Sequence, residues 1–172
     1  MTRVAIVGNG GSGKTWLSLR LADALHVPAV HLDLYRYDAS GNVRPRPVFR
    51  REVNDSLVRS ADWVADGNYL GAIDDRLALA DVVIHLDLPV LVCLAGVLGR
   101  RLRHRGRRAE DPAHVDRFDL GFVYYILTFR RQMRPRLLAA LGDSTVQLLH
   151  VRTRRQARAL ADRVAVLGRL PD

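Results

Sequence analysis

The sequence predicts an α/β fold: a parallel sheet with helices on both faces. Three observations predict it. About five apolar, strand-like runs alternate with helix-period segments along the 172 residues. The run Val82-Val83-Ile84-His85-Leu86 is apolar without alternation, as a central parallel strand is. The first run, Val4-Ala5-Ile6-Val7, leads into a glycine-rich turn and then a helical pattern with Leu17, Leu21, Ala24 and Leu25 at helical spacing.

The glycine-rich turn carries the chemistry. Gly8-Asn9-Gly10-Gly11-Ser12-Gly13-Lys14-Thr15 fits G-x-x-x-x-G-K-[ST] in strand–loop–helix context. That pattern is a phosphate-binding loop: glycines permit the tight turn, and successive N–H groups cradle a phosphate at a helix start. Lys14 would reach between the β- and γ-phosphates of ATP, and the Thr15 hydroxyl would hold Mg²⁺. Lys14 is the only lysine; the other 26 basic residues are arginine. A lysine kept here suits a point-charge phosphate contact.

Composition bounds the rest. The chain is long enough for one domain with a sizeable core, and 48% apolar content argues against disorder. A single cysteine, Cys93, excludes an internal disulfide and a thiolate cluster and reads as a core residue. No apolar run reaches membrane-span length and no signal-peptide pattern opens the chain, so a cytoplasmic location is expected. The net charge of +9 suits anionic small molecules or nucleic acid alike. The arginines are clustered, six between Arg100 and Arg108 and four between Arg130 and Arg136.

In chain order, residues 3–8 read as the first strand and 14–25 as the first helix. Val27 to Leu32 reads as a second strand that delivers Asp33 to the sheet's carboxyl edge, where ligands gather in open α/β sheets. Asp33 could serve as base, as substrate ligand or as metal ligand through water; His31 reads as a satisfied, partly buried histidine. Residues 34–48 form an irregular connection with Tyr35, Tyr37 and several arginines, and Phe49 to Ala61 a helix. Residues 34–61 together make a candidate acceptor-binding region. Residues 62–66 read as the third strand, ending in Asp66, a candidate Mg²⁺ ligand; Asn68 and Tyr69 either touch substrate or set the turn.

Leu70 to Ala80 reads as a helix whose Arg76 could reach a phosphate or pair with Asp74, Asp75 or Asp81. Asp87, after the fourth strand, is a second metal candidate or a cap for the helix beginning near Pro89. Leu91, Leu94, Ala95, Leu98 and Leu102 mark that helix; residues 116–141 resume helical character with a break at Pro135. The two arginine clusters flank an excursion at 103–120, the arrangement of a lid that delivers positive charge to a transferring phosphoryl group. Residues 144–151 read as the fifth strand and 152–167 as a closing helix, with Arg152, Arg154 and Arg155 at its start suggesting an anionic contact.

Those pieces together resemble a known family. GNGGSGKT at 8–15, HLD at 31–33, DGNY at 66–69, DxR at 74–76, HLDLP at 85–89, RRLRHRGR at 100–107 and RRQMRPRLL at 130–138 look like the small P-loop kinases called DNA topology modulation proteins (FlaR-like), similar to adenylate and shikimate kinases. The resemblance implies a three-layer P-loop NTPase fold whose five parallel strands run in the order 2-3-1-4-5, with a short arginine-rich helical lid. It assigns the metal role to Asp66 rather than Asp87. It makes Arg101 and Arg105 lid-entry arginines, Arg101 also touching ATP, and Arg130 and Arg131 lid-exit arginines. Three departures stand out: Trp16 follows Thr15, no Pro-Gly step follows HLD, and DGNY lacks the arginine with which adenylate kinases hold an acceptor nucleotide.

The expected function is transfer of the γ-phosphoryl group of Mg-ATP to a small acceptor of unspecified identity, with nucleotide-like acceptors included. Lys14, Asp33, Arg101, Arg105, Arg130 and Arg131 would act on the transfer, residues 8–15 would hold the nucleotide, and Thr15 and Asp66 the metal. Two other classes stay open: a nucleotide-regulated nucleic-acid-binding protein, and an NTPase switch without a small acceptor. No helix-turn-helix, zinc-finger or RNA-binding signature supports the former. The sequence leaves monomer and homodimer equally open.

Overall fold

The structure, a computed structural model, describes residues 2–38, 42–69, 73–103, 120–142 and 146–171. It opens with β1 (Arg3–Gly8) and α1 (Lys14–Leu25), followed by β2 (Ala29–His31), the single-turn α2 (Leu32–Tyr35) and α3 (Arg46–Val58). Then come β3 (Trp63–Asp66), α4 (Ile73–Leu79), β4 (Val82–Leu86) and α5 (Val90–Arg103). The chain continues through α6 (Leu120–Gln132), α7 (Arg134–Gly142), β5 (Gln147–Val151) and α8 (Arg154–Leu167). All strand pairs are parallel and the order is β2-β3-β1-β4-β5, as expected.

Strand periodicity divides the core into two layers. Val4 and Ile6 of β1 face Leu17 and Leu21 of α1, Cys93 and Val97 of α5, and Ala157, Ala161 and Val164 of α8. Ala5 and Val7 face the other way, onto Phe49, Val53 and Leu57 of α3, Ile73 of α4, and Leu137 and Leu141 of α7. Each fully buried leucine, isoleucine or phenylalanine contributes about 1.5–3 kcal/mol, so both layers are needed to hold the central strands. Helix α6 serves both, with Ile126 in one layer and Phe129 in the other.

Several expectations are corrected. The second strand is three residues long, and Leu32 and Asp33 belong to α2. Helix α3 starts at Arg46, three residues before Phe49, because Pro45 and Pro47 fit a helix's first positions. In α5 the buried side is Cys93 and Val97, whereas Leu91, Leu98 and Leu102 are exposed. Pro135 does mark a new helix, as the second residue of α7. Of the expected lid, 103–120, only the end residues Arg103 and Leu120 are described, and Arg105 lies outside the described residues. No helix among them is long and apolar enough to cross a membrane.

The starts of α1 and α8 differ in a way that bears on function. Thr153 and Gln156 close the α8 start with a reciprocal capping box: Thr153 Oγ1 accepts the Gln156 N–H and the Gln156 side chain accepts the Thr153 N–H. Helix α1 has Gly13 at that position and no side-chain cap. Its first N–H groups therefore point out of the helix without a side-chain acceptor.

His85 on β4 is fully buried, and neither ring nitrogen has a hydrogen-bond partner among the described residues. Its ring meets His150 of β5 edge to face at 5.5 Å, the two being register partners. Burial pushes its pKa down to about 4; Asp87 opposes that shift, while His150 and Arg134 add to it. A folded-state value below the ordinary 6.5 means the unfolded chain binds the proton first, so stability falls as pH drops from about 6.5 to about 4. The expected loss across that window is on the order of 3 kcal/mol. Urea unfolding of the wild type and His85→Leu at pH 7 and pH 4.5 checks this: the variant should lose much less of its stability between the two.

Candidate active site

The site is built at the carboxyl ends of β1 and β3. After Gly8 the chain turns through Asn9 to Gly13 and enters α1 at Lys14. The turn is clasped from two directions. Asn9 is buried; its Nδ2 donates to the Ile126 carbonyl of α6 at 3.0 Å, and its Oδ1 accepts the Gly10 N–H at 2.7 Å. On the other side α5 touches the loop backbone. A Cβ on Gly11 would lie 2.2 Å from the Cys93 carbonyl oxygen, and one on Gly96 would lie 2.4 Å from the Gly11 oxygen. Gly11 also has φ 71°, so glycine is required there by space and by conformation together.

Lys14 folds back on the loop. Its Nζ donates to the carbonyls of Gly8 and Asn9, both at 2.9 Å. Burial pushes its pKa down; Asp66, and after it Asp33, pull it back up. Both carboxylates are thus close enough in field to act on the ammonium. Arg100 acts in the opposite sense. Arg100 follows Cys93 by seven residues, on the helix face that packs against Gly11, and that spacing adds it to the arginines near the loop. Arg101, the expected lid-entry arginine, is exposed.

Asp66 ends β3 beside β1, paired in register with Ile6. It is buried, and His31 Nδ1–H donates to its Oδ1 at 2.8 Å. The pairing follows from the sheet: His31 of β2 and Asp66 of β3 are register partners, so their side chains emerge together. Asp33, the second residue of α2, is exposed and accepts the Tyr69 hydroxyl at 2.6 Å. Tyr69 lies against Phe49, ring centroids 4.8 Å apart, and the Arg36 guanidinium sits about equally over both rings. Burial, with Asp33 reinforcing it, raises the Tyr69 pKa well above the usual phenol range, so Tyr69 stays a donor to Asp33.

Two residues take roles that differ from expectation. Arg76 is fully buried and donates Nη1–H to the Gly67 carbonyl at 2.8 Å; its Nε and Nη2 have no partner among the described residues. Burial lowers its pKa to about 10, with Asp66 opposing. Asp75 is held by Arg50 and Asn54, and Asp81 accepts the Arg3 N–H, so neither partners Arg76. Asp87 forms a two-point pair with Arg134, Nε to Oδ1 at 3.1 Å and Nη2 to Oδ2 at 2.7 Å, with Arg130 Nη2 at 3.6 Å. The Arg134 pairing holds the Asp87 carboxyl below its ordinary range. Asp87 therefore anchors the α6–α7 junction through Arg134 and Arg130 in place of the expected helix cap. Arg131 is exposed, and Arg154 reaches the Val92 carbonyl of α5 at 3.0 Å.

Asn68, expected to touch substrate or set the turn, is tied to the loop. Its Oδ1 accepts the Gly8 N–H at 2.9 Å, and its Nδ2 donates to the Gly8 carbonyl at 2.5 Å and to the Tyr125 hydroxyl at 2.9 Å. No local pattern announces a side chain that bonds a strand 60 residues away.

The residues present fit a phosphate and a hard cation. The uncapped α1 start leaves N–H donors outward, and the buried Ser12 hydroxyl has no partner among the described residues. Asp66 keeps one carboxylate oxygen clear of His31. No group of three or more His, Cys, Asp or Glu side chains forms a metal cage among the described residues. That suits Mg²⁺, which is held through one or two protein oxygens, substrate phosphates and water. Thr15 and Asp66 are the residues that could supply those oxygens.

The glycine geometry gives a graded prediction. Gly11→Ala meets both a steric block and an unfavourable φ and should destabilise by about 3 kcal/mol or more. Gly13 has φ 96° but open space around a Cβ. Gly13→Ala should cost only about 1–2 kcal/mol. Urea unfolding of both variants checks the ranking.

No protein-family model and no curated protein sequence matches the chain. Solved structures do. A shikimate kinase from Acinetobacter baumannii, in complex with shikimate, aligns over 97% of this chain and 92% of its own with TM-score 0.54 and 18% identity. A shikimate kinase from Bacteroides thetaiotaomicron aligns over 96% and 97% with TM-score 0.51 and 20% identity. At such identities the likeness speaks for the fold alone: an α/β fold with a five-stranded parallel sheet in the order β2-β3-β1-β4-β5, like that of these two structures.

Proposed function

We propose that the protein is an ATP-dependent phosphotransferase acting on a small acceptor, akin to the DNA topology modulation proteins that its sequence resembles. The observation that carries this reading is the convergence on Lys14: one ammonium within the fields of Asp66 and Asp33, at the uncapped start of α1. A loop that only binds a nucleotide has use for one metal-side carboxylate. A second, exposed carboxylate held by Tyr69 is what a phosphoryl acceptor needs.

Mg-ATP, when bound, supplies the phosphoryl group and the charge of the metal. The chain's own residues do the rest. Backbone N–H groups of Gly11, Gly13, Lys14 and Thr15 hold phosphate oxygens. Lys14, with two N–H groups on the Gly8 and Asn9 carbonyls, has a third to give them. Thr15 and Asp66 hold the metal side, with His31 fixing the Asp66 carboxylate. Asp33 orients the acceptor hydroxyl or accepts its proton. Arg101, Arg105, Arg130 and Arg131 are proposed to neutralise charge in transfer, with Arg100 added by its effect on Lys14.

A metabolite pool incubated with the protein and Mg-ATP, analysed by mass spectrometry, tests this. The pool should hold nucleosides, nucleoside monophosphates and hydroxy acids, shikimate among them. One phosphorylated product is expected, and Lys14→Ala should lower its rate by roughly 10²–10³-fold. Free phosphate alone would favour an NTPase switch. Salt-sensitive retention of DNA without turnover would favour the nucleic-acid reading.

A further inference from the structure

Arg154 is the first residue of α8, enclosed by the capping box of Thr153 and Gln156, which fixes its backbone. Its side chain lies back across α5. Nη2 donates to the Val92 carbonyl at 3.0 Å and lies 2.7 Å from where a Cβ on Gly96 would stand.

That same Cβ position is 2.4 Å from the Gly11 carbonyl oxygen. One glycine of α5 is thus covered by the phosphate loop and by the Arg154 guanidinium together. Any side chain at residue 96 would displace one or both. The Arg154 charge is felt at the same contact. Burial raises the pKa of Cys93, whose carbonyl meets Gly11, and Lys14 and then Arg154 oppose that rise.

Arg154 is exposed, and among the described residues no acid pairs with it. Asp87, at the end of β4, is taken by Arg134 and Arg130. The guanidinium is therefore a placed cation with a side open to a ligand.

The strand order says which part of a ligand passes there. Asp33 and Asp66 follow β2 and β3, on one side of the loop; α5 and α8 follow β4 and β5, on the other. In phosphoryl transfer the attacking and leaving oxygens are roughly in line. An acceptor held at Asp33 therefore sends the leaving diphosphate, with its nucleoside, across the loop toward α5 and the start of α8. A planar guanidinium stacks well on a flat ring such as a nucleobase.

We propose that Arg154 holds the nucleoside end of ATP, its guanidinium, seated on Gly96, packing against the face of the base. The inference rests on the reading of residues 8–15 as the nucleotide loop. It places the base contact on α8, apart from Arg101, the α5 arginine expected to touch ATP.

Calorimetry with Mg-ATP and with Mg-tripolyphosphate, which lacks the nucleoside, tests it; thermal melting in parallel checks that each variant is folded. Arg154→Met should weaken Mg-ATP binding about tenfold and leave Mg-tripolyphosphate within about twofold. Arg154→Lys keeps the charge without the plane and should lose most of the same Mg-ATP affinity. Arg158→Met removes a charge from an exposed position of the same helix and should leave both ligands within about twofold of wild type. Mg-ATP affinity retained within twofold in Arg154→Met would overturn the proposal alone. So would an equal loss for both ligands, or full affinity in Arg154→Lys, since either marks a contact to phosphate. Where tripolyphosphate binds too weakly to measure, the lysine variant decides. Failure of the wild-type protein to bind Mg-ATP would overturn the kinase reading and this proposal with it.

Discussion

The structure depends on a backbone-to-backbone contact. The glycine-rich loop lies so close to α5 that neither Gly11 nor Gly96 has room for a methyl group. The contact fixes the loop against a helix whose other buried residues, Cys93 and Val97, belong to the core. It also sets which side of α5 faces the loop, and so which arginine, Arg100, continues that side toward Lys14. A loop that must hold a dense anionic group benefits from such rigidity, because little reorganisation remains to be done on binding.

The strand order supplies the remaining geometry. With β3 and β4 on either side of β1, the chain places Asp66 and Asp87 at strand ends flanking the loop. The two carboxylates have different fates. Asp66 is buried beside a single histidine, with one oxygen clear of it. Asp87 is occupied by Arg134 and Arg130. The first is suited to a metal that other ligands complete; the second is a structural tie to α6 and α7. Asn9 and Asn68 make two further ties from the loop region to α6, through Ile126 and Tyr125. The loop is thus joined to α6 by hydrogen bonds and to α5 by contact.

Much of this was legible. Residues 8–15 could be read because each position states a backbone requirement that few residue types meet. The first and fourth strands could be read because a continuous apolar run between turn signals has few alternatives in a sheet of this kind. The buried face of α5 is only partly legible, because leucines outnumber the small residues that make the contact; Cys93 reads as core, but Gly96 and Val97 do not announce themselves. The early start of α3 had a signal in Pro45 and Pro47, and the α8 cap had one in Thr153-x-x-Gln156. His31–Asp66 and Asn68–Gly8 had none, since both arise from strand adjacency between distant segments.

Because Lys14 is the only lysine, the most direct measurement is available with one label. Protein carrying ¹⁵Nζ-lysine should show a single side-chain amine resonance. The account predicts that saturating Mg-ATP shifts this resonance strongly, as the ammonium takes on phosphate oxygens, and that sodium chloride of equal ionic strength does not. A Lys14 resonance unmoved by Mg-ATP would contradict the assignment of the loop as a nucleotide site.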